Sequence, residues 1–352
     1  LVMICGGGFW MLLAGALIMA FANGTVEAVC NPLVATIYPE QKTKKLNQFH
    51  VWFPGGIALG GLGAFLLDQV GVTDWRFKIG LVLIPALTYA FLMLGQKFPP
   101  TERKASGVTF GEMTAAAFAR PLFWVLLLSM AITASLELGP NRWIPPVLEH
   151  GGIPGILVLV YISTLMAVLR YFAGPVVERF HPTGVIILSA IVGGLGLYLF
   201  SFSQSTLTAF LAATIFAVGV CYFWPTMLGL TSERVPRSGE LGLALMGGIG
   251  MAAKVISDYE ATGELPSEGN QTATVLRSAL SYAPIGAAPI VAEVNAVLAP
   301  ADNYGGRMAF RYVAPLSGVI VVIFGILFLV DRKRGGYRLE ELAQNKSVSK
   351  RK

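Results

Sequence analysis

The residue with the clearest chemical purpose is a carboxylate set where lipid should not tolerate one. Glu27 lies in the run Asn23-Gly24-Thr25-Val26-Glu27-Ala28-Val29-Cys30-Asn31-Pro32, inside a long apolar stretch. A charged side chain at the bilayer centre costs about 2.5–3.5 kcal/mol on insertion scales, so it faces a cavity or a partner. A carboxyl held there can take up and release a proton, as a proton-coupled carrier requires. The plainer account is a structural hydrogen bond between helices. Asn31 falls one helical turn beyond Glu27 on the same face, and Pro32 removes a backbone donor and is expected to loosen the helix. A second acid, Glu137, precedes Gly139-Pro140-Asn141-Arg142-Trp143. Gly-Pro is expected to break the helix and expose backbone groups to a solute, with Arg142 pairing with Glu137 across the break. The other reading is that Arg142 and Trp143 mark the membrane interface.

Two aromatic–proline clusters repeat a theme: His50-Val51-Trp52-Phe53-Pro54 and Tyr222-Phe223-Trp224-Pro225-Thr226. Aromatic rings with one polar edge suit sugar rings, and equally suit packing against lipid. His50 can titrate near neutral pH, or can be solvated at a span edge. Gly174-Pro175-Val176-Val177-Glu178-Arg179 is a Gly-x-x-x-acid-Arg pattern at the end of a span. Its Gly permits close helix approach and its acid and Arg can clamp a loop. Gly247-Gly248-Ile249-Gly250 lies in an apolar run and reads as close helix packing, not a nucleotide loop. There is no Gly-Lys-Ser/Thr phosphate loop, so ATP-driven pumping has no support. Cys5, Cys30 and Cys221 have no metal-site spacing, and no metal or cofactor is expected.

These residues must be positioned by membrane helices. Only 13% of the 352 residues are charged, against about 25% in a soluble domain. Mean hydropathy is +0.65. A span needs about 20 apolar residues. On that rule nine spans fall near 9–38, 51–70, 77–96, 121–148, 153–177, 183–202, 206–230, 240–257 and 308–330. Lys42, Lys44, Lys45, Lys97, Arg103, Lys104, Arg120, Arg179, Arg234 and Arg237 sit in alternate loops, and the tail 331–352 is basic. The positive-inside rule therefore places those loops and the C-terminus in the cytoplasm, and makes the tail a membrane feature rather than a nucleic-acid site. Residues 1–96 read as part of an N-terminal helical half and 97–120 as a cytoplasmic linker. Residues 121–330 read as a six-helix C-terminal half, with an extracytoplasmic insertion at 258–306.

Taken together, these motifs resemble the major facilitator superfamily, most nearly its fucose and glucose/galactose–proton symporter branch. That branch carries Glu-Thr-Ala-Ala-Asn-Pro in its fourth helix, similar to Glu27-Ala28-Val29-Cys30-Asn31-Pro32. Its Leu-Asn before the fifth helix resembles Leu46-Asn47, and its Phe-Pro-Thr resembles Trp224-Pro225-Thr226. A seventh-helix glutamate matches Glu137, and the superfamily's Gly-x-x-x-Asp-Arg resembles Gly174 to Arg179. The branch's sugar-contacting Gln-x-x-Asn pair reads His50 and Phe53 here. The resemblance implies an all-α, polytopic bundle in which the spans are helices four to twelve of twelve, so that three helices precede Leu1. It implies alternating access, with a solute site between two halves and proton coupling at Glu27.

The expected function is therefore secondary transport of a sugar or similar small polar solute with a proton, by a monomer in the inner membrane. Glu27 would carry the proton. Asn31, His50, Trp52, Glu137, Asn141, Arg142, Tyr222 and Trp224 would bind or shape the solute site, and Gly174, Glu178 and Arg179 would serve the conformational change. The rival readings are a membrane sensor or scaffold using 258–306, and an enzyme acting on a lipid-linked substrate. His50, His150 and His181 are scattered over both faces, which argues against the enzyme.

Overall fold

The computed structural model describes residues 1–262, 303–340 and 342, with side chains through 253 and again from 303. Residues 263–302, most of the expected 258–306 insertion, lie outside it. Among the described residues there are helices and no strands. A short α1 (Val2–Cys5) precedes α2 (Phe9–Ile37), α3 (Lys42–Phe49), α4 (Trp52–Gln69), α5 (Trp75–Gly80) and α6 (Leu83–Met93). The polar connection holds α7 (Glu102–Ala105) and α8 (Phe110–Ala119). Then come α9 (Pro121–His150), α10 (Gly155–Tyr171), α11 (Ala173–Phe200), α12 (Thr206–Val220), α13 (Phe223–Arg234) and α14 (Gly239–Thr262). A helical run at 303–313 leads into α15 (Leu316–Lys333).

Seven described helices, some counted across a short break, are long and apolar enough to cross a membrane: Phe9–Ile37, Lys42–Gln69, Trp75–Met93, Pro121–His150, Ala173–Phe200, Thr206–Arg234 and Asn303–Lys333. Of the other two expected spans, 153–177 is the 17-residue α10, ending at Tyr171, and 240–257 lies within α14. Because α10 stops early, Gly174 to Arg179 open α11 rather than close the preceding span. The expected loop 178–182 is only a kink, where His181 takes the left-handed φ of 54° inside α11.

The helix break expected at Gly139-Pro140 does not occur, and Pro32, expected to loosen its helix, does not end it. Helix α2 runs past Pro32 to Ile37, and α9 runs through Pro140, Pro145 and Pro146 to His150. Neighbouring groups in a bundle can re-satisfy what a proline frees. Near the end of α9 the Asn303 amide donates to the Val147 carbonyl at 2.8 Å.

The densest packing lies among α9–α15, around Phe123, Leu126, Met130, Phe200, Phe216, Phe310 and Phe324, all fully buried. Helices α2, α4 and α6 instead present large apolar side chains such as Phe21, Leu66 and Phe91 outward, as lipid contact allows. Helices α11 and α12 meet almost backbone to backbone. A Cβ on Gly219 would land on the backbone of Gly193, and one on Gly196 on that of Phe216. Small residues permit this approach. Gly219→Ala is expected to cost about 1–3 kcal/mol through overpacking. Gly325→Ala, with open space around its Cβ, is expected to be neutral. Thermal unfolding of the purified variants checks both.

One face of the bundle is basic and tightly tied. Lys42 on α3 donates to Glu102 on α7 at 2.6 Å, and Arg103 on α7 to Glu240 on α14 at 2.6 Å. Thr101 also donates to Glu240, and the Glu102 amide donates to Thr36 on α2 at 3.0 Å. Helix α8 starts with a capping box, in which the Thr109 backbone amide and hydroxyl hold the exposed Glu112 carboxyl below its ordinary pKa. The connection 97–120 thus clamps helices on either side of itself.

Candidate functional site

A cavity of about 330 Å³ lies between the N-terminal and C-terminal helices. That is within the ~300–1,000 Å³ usual for small-molecule sites. Helix α2 supplies Ala20, Asn23, Gly24 and Glu27 to its wall, and His50 and Phe53 come from the α3–α4 corner. From the other side come Glu137 of α9, Arg170 of α10, Trp224 of α13 and Met251 of α14. Gly247 and Gly248 border this cavity with open space around them. Only Gly250 makes the expected close contact, against the ring of Trp224.

Glu27 is 28% exposed, the accessible carboxylate of the site. Its Oε2 accepts from the Asn31 amide at 2.6 Å, as the spacing of one helical turn predicts. Its Oε1 lies 3.6 Å from Nε2 of His50. The other ring nitrogen of His50 lies 2.9 Å from the Leu46 carbonyl, which can only accept, so Nδ1 carries a hydrogen. In the neutral ring Nε2 therefore keeps its lone pair, buried, beside Glu27 and without a hydrogen-bond partner among the described residues. The carboxylate and the imidazole thus face each other at the cavity edge.

Deeper in, Glu137 pairs with Arg170 at 2.6 Å, both only 1% exposed. Arg170 takes the place the sequence assigned to Arg142, which is exposed and does not line the cavity. The geometry explains why an arginine is needed. Helix backbones bond residue i to i+4, and proline has no N–H. Pro54 leaves the His50 carbonyl without its donor, and Pro225 does the same to Cys221. Arg170 fills both gaps: Nη1 donates to the His50 carbonyl at 3.1 Å and Nε to the Cys221 carbonyl at 2.5 Å. Its Nη2 reaches Glu137 Oε1, while Glu137 Oε2 accepts from the Trp224 amide at 3.3 Å, at the start of α13. One ion pair thus splices the α12–α13 break and reaches across to the α3–α4 break. Sequence reasoning missed Arg170, although the two aromatic–proline clusters carried the signal. Each orphans a carbonyl, and Arg170 is a basic residue inside an apolar run.

The remaining expected residues scatter. Trp52 is 75% exposed and points out of the bundle. Tyr222 donates to the Leu169 carbonyl at 3.1 Å, behind the cavity. Asn141 lies one turn beyond Glu137 on α9 but is absent from the lining. Glu178 of α11 accepts from Lys44 of α3 at 2.9 Å rather than bracing Arg179, and a Cβ on Gly174 would strike the Lys44 side chain, so glycine leaves its path open. Asn47 donates to Thr226 at 3.2 Å, joining α3 to α13. From Lys44 through Asn47 to His50, α3 seals the basic side. The cavity lining runs from His50 as far as Ala20 of α2 and Met251 of α14.

An apolar helix bundle with charged groups buried around a central cavity is the architecture of a membrane transporter. Residues 1–257 match the sequence model of the Major Facilitator Superfamily, and the chain belongs to that superfamily of membrane transporters rather than to an enzyme family. It is 24% identical over 255 residues to a probable sugar efflux transporter of Haemophilus influenzae strain PittGG, covering 68% of this chain and 61% of that protein. A second relative with the same description, from strain 86-028NP, is 24% identical over 263 residues, covering 71% of this chain and 62% of that protein. The chain therefore spans about three fifths of the length of the relatives it matches.

Proposed function

We propose that this chain carries a sugar or similar small polar organic solute across the inner membrane by alternating access, coupled to a proton at Glu27. The observation that supports it is one accessible carboxylate, paired with Asn31 and His50, in a cavity between two sets of helices. Those sets are the N-terminal half, 1–96, and the C-terminal half, 121–330, with 97–120 as linker. Charge alternation favours the basic face and the tail as cytoplasmic. The closed basic face then corresponds to a cavity facing outward, in a protein acting as a monomer. Asn31, His50, Glu137 and Trp224 would shape the solute site, and Gly174, Glu178 and Arg179 would serve the change of state.

Direction has two readings. The Glu27–Asn31–Pro32 motif favours symport, and the description of the relatives as efflux transporters favours proton antiport. A pH step across proteoliposomes separates them, with labelled hexoses, pentoses and glycosides as probes. Symport predicts accumulation when the outside is acid, and antiport predicts it when the lumen is acid. Equal distribution of every probe under both steps would sink proton coupling of a sugar.

A further inference from the structure

The C-terminal tail is not loose where it leaves α15. Gly335 and Gly336 take positive φ values of 90° and 106°, turning the chain back onto the bundle. Tyr337, half-buried, then sits between the Arg234 guanidinium and the His181 ring. The Arg234 guanidinium lies 4.4 Å over its ring, and the His181 ring stacks 5.7 Å away at 7°. That stacking gives the strained His181 kink a partner. The Glu340 amide donates to the Glu233 carbonyl at 2.9 Å, Arg120 donates to the Glu340 carboxylate at 2.6 Å, and Leu342 is buried. Burial and the neighbouring Glu233 hold the Tyr337 phenol well above its ordinary pKa, so it stays a donor.

Its acceptor matters most. The Tyr337 hydroxyl donates to Oε2 of Glu233, on α13. The other oxygen, Oε1, accepts from both the Thr43 amide at 3.0 Å and the Thr43 hydroxyl at 2.6 Å, on α3. One buried carboxylate thus joins the tail to the contact that closes the basic face. Gly229 completes it, since a Cβ there would collide with Thr43.

We infer that residues 335–340 form a strap that holds the basic face closed, by fixing Glu233 in the orientation that grips Thr43, and that releasing the strap favours opening. The inference rests on the two-half reading of the fold but not on any solute. A charge-assisted hydrogen bond lost from one state is worth about tenfold in an equilibrium.

The test is a pulsed electron-spin distance measurement in lipid nanodiscs, on the full chain with its three native cysteines replaced. Labels go on Gln41 and Arg237, exposed residues on opposite sides of the closed contact. Tyr337→Phe keeps the ring stack and removes only the donor. It is expected to raise the ratio of long to short distances about tenfold, as is a chain ending at Gly336. Thr43→Val, losing its hydroxyl, should do the same. If Thr43→Val opens the face while Tyr337→Phe leaves it closed, the strap is wrong and the gate stands. If neither variant moves the distribution, the gate itself is wrong. Should the shortened chain fail to fold, Tyr337→Phe decides alone.

Discussion

Arg170→Met should destabilise the protein by about 3–5 kcal/mol, enough to lose most of the monodisperse material on size exclusion. The change leaves Glu137 charged and unpaired at 1% exposure. It also abandons the carbonyls of His50 and Cys221, which Pro54 and Pro225 have already deprived of their helical donors. Each buried orphan costs about 1–3 kcal/mol. A double variant separates the two contributions. Glu137→Leu with Arg170→Met removes both charges and refills the space with apolar atoms, a trade that is often neutral for a simple ion pair. Here it should recover only part of the loss, because three backbone groups stay unsatisfied: the two carbonyls and the Trp224 amide. Full recovery of the melting temperature would show that the pair is an ordinary buried salt bridge and not a splice for broken helices. Arg170→Lys should fall between, since an ammonium on a flexible stem lacks the fork that reaches three acceptors at fixed angles.

Glu27→Gln should leave the fold intact and abolish proton-driven accumulation. A glutamine oxygen can still accept from Asn31, so the local helix geometry survives. It cannot exchange a proton with the ring of His50. A gradient of one pH unit is worth about 1.4 kcal/mol per proton, so a one-to-one coupled wild type can concentrate solute about tenfold. The variant should equilibrate its solute at a ratio of about one while exchange of labelled for unlabelled solute continues. Proteoliposome uptake with and without the pH step measures both. Retained accumulation would remove the coupling role from Glu27. His50 lies within 3.6 Å and would then be the next group to replace.

The sequence by itself determined the solvent this protein is built for. Long apolar runs with few charges admit only helices, because lipid offers no partners to an open backbone. It also located Glu27 and Asn31, because a helix-turn spacing is a local property that the chain carries with it. The fifth and sixth spans were less legible. Periodicity cannot see that α10 ends at Tyr171, or that a single left-handed His181 replaces a loop, when both neighbours are apolar.

Tertiary structure alone decided the partners. Glu137 and Arg142 are five residues apart and seemed matched, yet the acid's cation is Arg170, 33 residues away on another helix. Gly139-Pro140 carried a break signal and made none. Pro54 and Pro225 sit beside the real breaks, because an arginine there satisfies the backbone they disturb. Trp52 and Trp224 are similar by sequence context, and only packing turned the first outward and the second into the cavity. Glu233 and Tyr337 carry no local mark in the sequence, and only the meeting of α13, α3 and the returning chain joins them. The physical reason is common to all of these. A chain states the charge and backbone needs of each residue locally, but a buried donor or acceptor is satisfied by whatever the fold brings within about 3 Å.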